Sequence, residues 1–67
     1  MYCMRINYNN GETARQFHPY RIELVSRADE YMLHDPAIDT IEVFDEDDKM
    51  TNNFYRQDGK IYSKSRY

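Results

Sequence analysis

Residues 18–36, HPYRIELVSRADEYMLHDP, decide how the rest of the chain is read. Proline is favoured at the first helical position, where its missing N–H costs nothing, so Pro19 marks a helix start. Pro36 pushes Asp35 out of the helical region and closes the run. Between the prolines, at about 100° per residue, Leu24, Val25, Ala28, Tyr31 and Met32 fall within about 60° of Ala28. Tyr20 joins the edge of that stripe, while Glu23, Ser26 and Glu30 lie opposite. Glu23 and Arg27, spaced i,i+4 in the better orientation, add about 0.3 kcal/mol. The spacing predicts an amphipathic helix over 19–34 with one buried face. Ile22 and Leu33 lie about 120–140° from Ala28 and should be more exposed, either as helix ends touching loops or as a second apolar strip for a partner or another copy.

Toward the N-terminus, Tyr2, Met4, Ile6 and Tyr8 alternate with Cys3, Arg5 and Asn7, the pattern of a half-buried strand. Asn9-Asn10-Gly11 follows, and Asn-Gly between extended runs is a strong hairpin signal. The return strand spans Glu12 to Phe17. A two-residue turn sets Ile6 opposite Arg15, whereas a three-residue turn with Gly11 as the bulge sets Ile6 opposite Ala14. The second register keeps an arginine off the core and is the expected one.

Beyond the helix, Ile38-Asp39-Thr40-Ile41-Glu42-Val43-Phe44 is β-branched and aromatic and reads as a strand with Ile41 and Val43 toward the helix. Asp45-Glu46-Asp47-Asp48-Lys49 is a polar turn. A strand over Met50 to Arg56 follows, with Asn52-Asn53 a weak point or bulge. Gln57-Asp58-Gly59-Lys60 is a second hairpin turn into Ile61-Tyr62. Residues 63–67 read as a short, basic, mobile tail on a single domain spanning 1–62. The expectation is an α+β fold, ββαββ or ββαβββ: a small antiparallel sheet with one helix on one face. The other face and at least one edge strand are then left uncovered, the usual places for dimerisation or for an added partner strand.

Composition narrows the function classes. A chain of 67 residues buries only roughly 60% of its unfolded surface, so close packing or a partner must supply stability, and a homodimer is compatible with so small a core. The single cysteine, Cys3, excludes an internal disulfide and a zinc set and fits a reducing cytoplasm. Met1-Tyr2-Cys3-Met4-Arg5 holds no apolar run of the signal-peptide or membrane-spanning kind, so no membrane partner is expected. Seven tyrosines and three phenylalanines argue against disorder. The net charge of −3 hides a segregation: residues 29–48 hold nine carboxylates and no Lys or Arg, while 49–67 hold five basic side chains and one carboxylate.

Catalysis finds no support. The candidates are Cys3, His18, His34 and Ser26, Ser63 and Ser65. His18 reads as a residue of the helix cap, and His34 as a cation complementing the helix C-terminus. Cys3 lacks a neighbour that sequence can place to activate it. Asp45-Glu46-Asp47-Asp48 does not have the alternating ligands, the central glycine or the closing glutamate of a calcium loop. Gly11 and Gly59 belong to hairpins, so there is no phosphate loop. A non-enzymatic chain without cofactor or metal is the expectation.

Two surfaces remain. Tyr55, Arg56, Lys60, Tyr62, Lys64 and Arg66 interleave rings and cations, as a nucleic-acid contact does, although the adjacent carboxylates repel a polyanion. Asp35, Asp39, Glu42, Asp45, Glu46, Asp47 and Asp48 would form a negative ridge suited to the basic groove of a nucleic-acid-binding protein. A sponge for a nucleotide signal, using tyrosines with Arg5, Arg15 and Arg21, is a third class.

The opening hairpin with Asn-Asn-Gly-Glu-Thr, the aromatic-led helix, the Ile-Asp-Thr-Ile-Glu-Val-Phe-Asp strand and the acidic turn together resemble small single-domain proteins of phages and bacterial mobile elements. Some of these, anti-CRISPR proteins among them, inhibit bacterial defence systems by binding a defence protein. The resemblance implies a cytoplasmic, non-enzymatic binder and carries over no functional residue. The expectation set beside it is a phage-type inhibitor that binds a bacterial defence protein stoichiometrically through the acidic residues 35–48 together with exposed tyrosines.

Overall fold

Asn-Gly and Asp-Gly do in the structure what their backbone freedom allows. In this computed structural model, which describes residues 1–67, Gly11 takes φ +88° and its N–H donates to Tyr8 O at 3.0 Å, while Tyr8 N–H donates to Glu12 O at 2.9 Å. That is a three-residue turn with a glycine bulge. It joins β1 (Tyr2–Tyr8) to β2 (Thr13–His18) with Ile6 opposite Ala14, the expected register. At the other end, Asp58 and Gly59 both adopt positive φ, 53° and 75°, as a two-residue hairpin turn requires. They join β4 (Met50–Gln57) to β5 (Lys60–Ser65), with Gln57 opposite Lys60.

Between the hairpins lie α1 (Arg21–His34) and β3 (Ile38–Phe44). The chain is therefore ββαβββ, one helix on a five-stranded antiparallel sheet of order β2-β1-β3-β4-β5. Strand β1 pairs with both β2 and β3, so the helix carries the chain over β1 to reach the far side of it. Leu24, Ala28 and Met32 are fully buried, and Val25 and Tyr31 pack beside them. They meet Met4, Ile6, Ile38, Ile41, Val43 and Phe54 from the sheet. Each large apolar side chain so buried stabilises the fold by about 2 kcal/mol.

The helix starts two residues later than proline placement suggests. Tyr20 is the N-cap, with φ −113° and ψ 123°, and Pro19 precedes it. Because Tyr20 is extended, the helical period does not govern its direction, and its side chain is exposed rather than part of the buried stripe. His18 holds this corner by accepting the Tyr20 N–H at Nδ1, 3.1 Å. At the other end Asp35 is extended, as the residue before proline should be. Ile22 and Leu33 are both exposed, as their angles require.

The irregularity in β4 falls at Thr51, one residue before the expected Asn52-Asn53: Val43 pairs with Asn52 and Phe44 with Met50. The skipped Thr51 donates to Val43 O at 3.3 Å and to Asn52 Oδ1 at 2.9 Å, and Arg21 Nη1 donates to the same Asn52 oxygen at 2.9 Å. Residues 63–65, read from sequence as the start of a free tail, continue β5. Arg66 N–H donates to Thr51 O at 2.9 Å, and the Tyr67 ring lies 4.7 Å from the Arg21 guanidinium. Ser63 and Ser65 lie opposite Phe54 and Asn52, so pairing with β4 orders this stretch.

Candidate functional site

Strand alternation assigns each side chain of the sheet to one of two faces. One face is under the helix. On the other, cross-strand partners line up in rows that run over the sheet. Arg15, Arg5, Glu42, Asn53 and Lys64 form one row through all five strands. Thr13, Asn7, Thr40, Tyr55 and Tyr62 form the next, and Phe17, Cys3 and Phe44 the third. No second helix is present to cover these rows. Phe17 is 60% exposed and Tyr62 41%.

Glu42 sits at the centre of this face. Its Oε1 accepts Arg5 Nη2 at 2.7 Å, Arg5 Nε at 3.1 Å and Asn7 Nδ2 at 2.9 Å. The Arg5 guanidinium also lies 5.2 Å from the Phe44 ring centroid. At the β4–β5 corner Tyr55 and Tyr62 stack at 5.5 Å, with Lys64 Nζ 5.8 Å from the Tyr55 ring. A depression of about 280 Å³ opens between Cys3, Arg5, Arg15, Phe44 and Asp48. The charges are of both signs, and the rings alternate with them.

The acidic residues singled out in the sequence are not brought together. Asp35 caps the C-terminus of α1, Asp39 lies at the start of β3, and Asp45–Asp48 follow the end of β3, about 20 Å of strand from Asp39. Only Glu42 lies on the strand between them, and Arg5 and Asn7 engage it. Asp35 Oδ1 accepts Ala37 N–H, and Glu46 accepts the Met1 ammonium at 2.6 Å. Asp45 organises its own turn, taking the N–H groups of Asp47 and Lys49 at 2.9 and 3.0 Å and the Arg66 guanidinium at 3.3 Å. The Lys49 N–H above all, with the Asp47 N–H and Arg66, holds the Asp45 carboxyl below its ordinary value. Asp47 and Asp48 are exposed, and Asp48 edges the depression.

The basic set divides as well. Tyr55, Lys60, Tyr62 and Lys64 share the open face. Arg56 turns inward, where Nη2 donates to the carbonyls of Met32, Asp35 and Ile38 at 2.9, 3.3 and 3.3 Å, closing the helix C-terminus. Arg66 is committed to Asp45 and Tyr67. Sequence reasoning grouped Arg15 with Arg5 for a nucleotide ligand but did not place Phe17 and Phe44 on one surface with them. The signal was present in the alternation of β1, whose Cys3, Arg5 and Asn7 point away from Met4 and Ile6. No three His, Cys, Asp or Glu side chains converge as metal ligands would, and no helix is long and apolar enough to cross a membrane. Compared with protein-family models, curated proteins and solved structures, the chain matches none of them.

Proposed function

We propose that the chain is a small, non-enzymatic binding module whose working surface is the open face of the sheet and whose partner is a protein. The observation that supports this is the uncovered five-strand face, with Phe17, Phe44, Tyr55 and Tyr62 set among Arg5, Arg15, Glu42 and Lys64. Aromatic and arginine side chains dominate the energetics of protein interfaces. The carboxylate at the centre and the net charge of −3 weigh against a polyanionic partner. The resemblance to small phage proteins supplies the partner class: a bacterial defence protein, inhibited by stoichiometric binding. This reading transfers the contact from the acidic ridge to the sheet, since Glu42, Asp45 and Glu46 already serve partners within the chain.

The test is capture from bacterial lysate with tagged protein, with and without nuclease. One protein recovered near 1:1 in both samples, lost in the Tyr55→Ala/Tyr62→Ala variant and retained in Glu46→Gln/Asp47→Asn, is the expected result. Capture that survives the tyrosine substitutions refutes the proposal. A second reading, single-stranded nucleic acid at the Tyr55, Tyr62, Lys60 and Lys64 corner, draws on the stacked tyrosines beside lysine. Its signature is recovery that vanishes with nuclease and an affinity falling steeply with salt.

A further inference from the structure

The depression on the open face has a charge arrangement that the chain does not complete by itself. Arg5 and Arg15 stand directly opposite each other on β1 and β2, and like charges so placed are unfavourable. Arg5 is answered: Nε and Nη2 both donate to Glu42, which fixes the guanidinium and leaves Nη1 without a protein acceptor. Arg15 is exposed and takes part in no ion pair. Both line the cavity of about 280 Å³, with Phe44 as its apolar wall and Asp48 on its edge.

We infer that this depression seats a single carboxylate, an Asp or Glu side chain of the protein partner, held by the fork of Arg15 and the free edge of Arg5. The inference rests on the open face being the contact surface and deepens that reading. A guanidinium fork matches a carboxylate in two parallel hydrogen bonds. A phosphate dianion in the depression meets Asp48 as well as the two arginines, so its second charge is opposed. The Arg5 guanidinium already lies over the Phe44 ring, which leaves that side of the ring closed to a nucleobase. The depression, about 280 Å³, has room for one such side chain.

The experiment is an ¹H–¹⁵N NMR titration of the whole chain with N-acetylglutamate α-amide and, separately, with inorganic phosphate, followed at the arginine Nε–H groups and the Cys3 and Phe44 amides. The expected result is saturable binding of the carboxylate in the millimolar range, about tenfold weaker in Arg15→Ala, intermediate in Arg15→Lys, and tighter than phosphate. Absence of a saturable shift, tighter binding of phosphate, or unchanged affinity in a folded Arg15→Ala protein overturns the inference. Lysate capture separates it from the reading beneath it. Capture lost in Tyr55→Ala/Tyr62→Ala but undiminished in Arg15→Ala overturns the carboxylate seat and leaves the open face standing. Capture unaffected by the tyrosine substitutions removes the open face itself.

Discussion

Replacing Glu42 with alanine tests whether one oxygen organises the open face. Three donors converge on Glu42 Oε1, two from Arg5 and one from Asn7. Hydrogen bonds to a charged group contribute about 1.5–3 kcal/mol each when enclosed. Here the Glu42 side chain is 22% exposed and that of Arg5 36%, so water replaces part of what is lost. A cost of about 2 kcal/mol is expected for the set, against a total stability of about 3–10 kcal/mol for a chain of this length. That corresponds to a fall in Tm of about 8–16 °C. The assay is thermal and urea denaturation of Glu42→Ala, Arg5→Ala and the double variant. Arg5→Ala alone should cost less, because Asn7 still serves Glu42, and a coupling energy of about 1 kcal/mol is expected from the cycle. A Glu42→Ala cost below about 0.5 kcal/mol with no coupling would falsify the view that this network holds the face in shape.

Arg56→Ala, which strips one donor from three carbonyls at the end of α1, should cost about 2–3 kcal/mol by urea denaturation, although a sequence reader would place Arg56 on the surface. Asp45→Ala should show its effect in a pH series of melting temperatures. The Asp45 pKa is depressed in the folded chain, so its contribution is complete above the ordinary value of 3.8 and disappears as pH falls through the lower folded value. The gap between wild type and variant is therefore constant near neutrality and closes in acid; a gap that widens in acid contradicts the assignment. Removing Arg66 and Tyr67 should lower the melting temperature by a few degrees and speed amide exchange at the start of β4, because the Arg66 N–H bond to Thr51 O and the Tyr67–Arg21 contact go with them.

Local features of this fold were readable in the sequence because they depend on residues within a few positions of one another. Gly11 and Gly59 occupy the positive-φ corners that Asn-Gly and Asp-Gly announce, and the Ile6–Ala14 register followed from keeping Arg15 off the core. Leu24, Ala28 and Met32 are buried because their spacing places them on one side of any helix. Ile41 and Val43 face that helix because strands alternate.

Which strand lies beside which was decided only by tertiary structure. The β1–β3 pairing sets Arg5 against Glu42, two residues with no local relation. Their meeting turns an apparent member of an acidic ridge into the centre of a mixed-charge face. The carboxylates between 35 and 48 follow one another with no Lys or Arg among them, yet an extended strand carries those before it and those after it to opposite ends of the sheet. Arg56 looks like its basic neighbours until its register places it beneath the end of the helix, where the carbonyls of Met32, Asp35 and Ile38 converge on its guanidinium. Charge along a chain is a local property, whereas its sign at a surface depends on which distant side chains the sheet order brings within hydrogen-bonding reach.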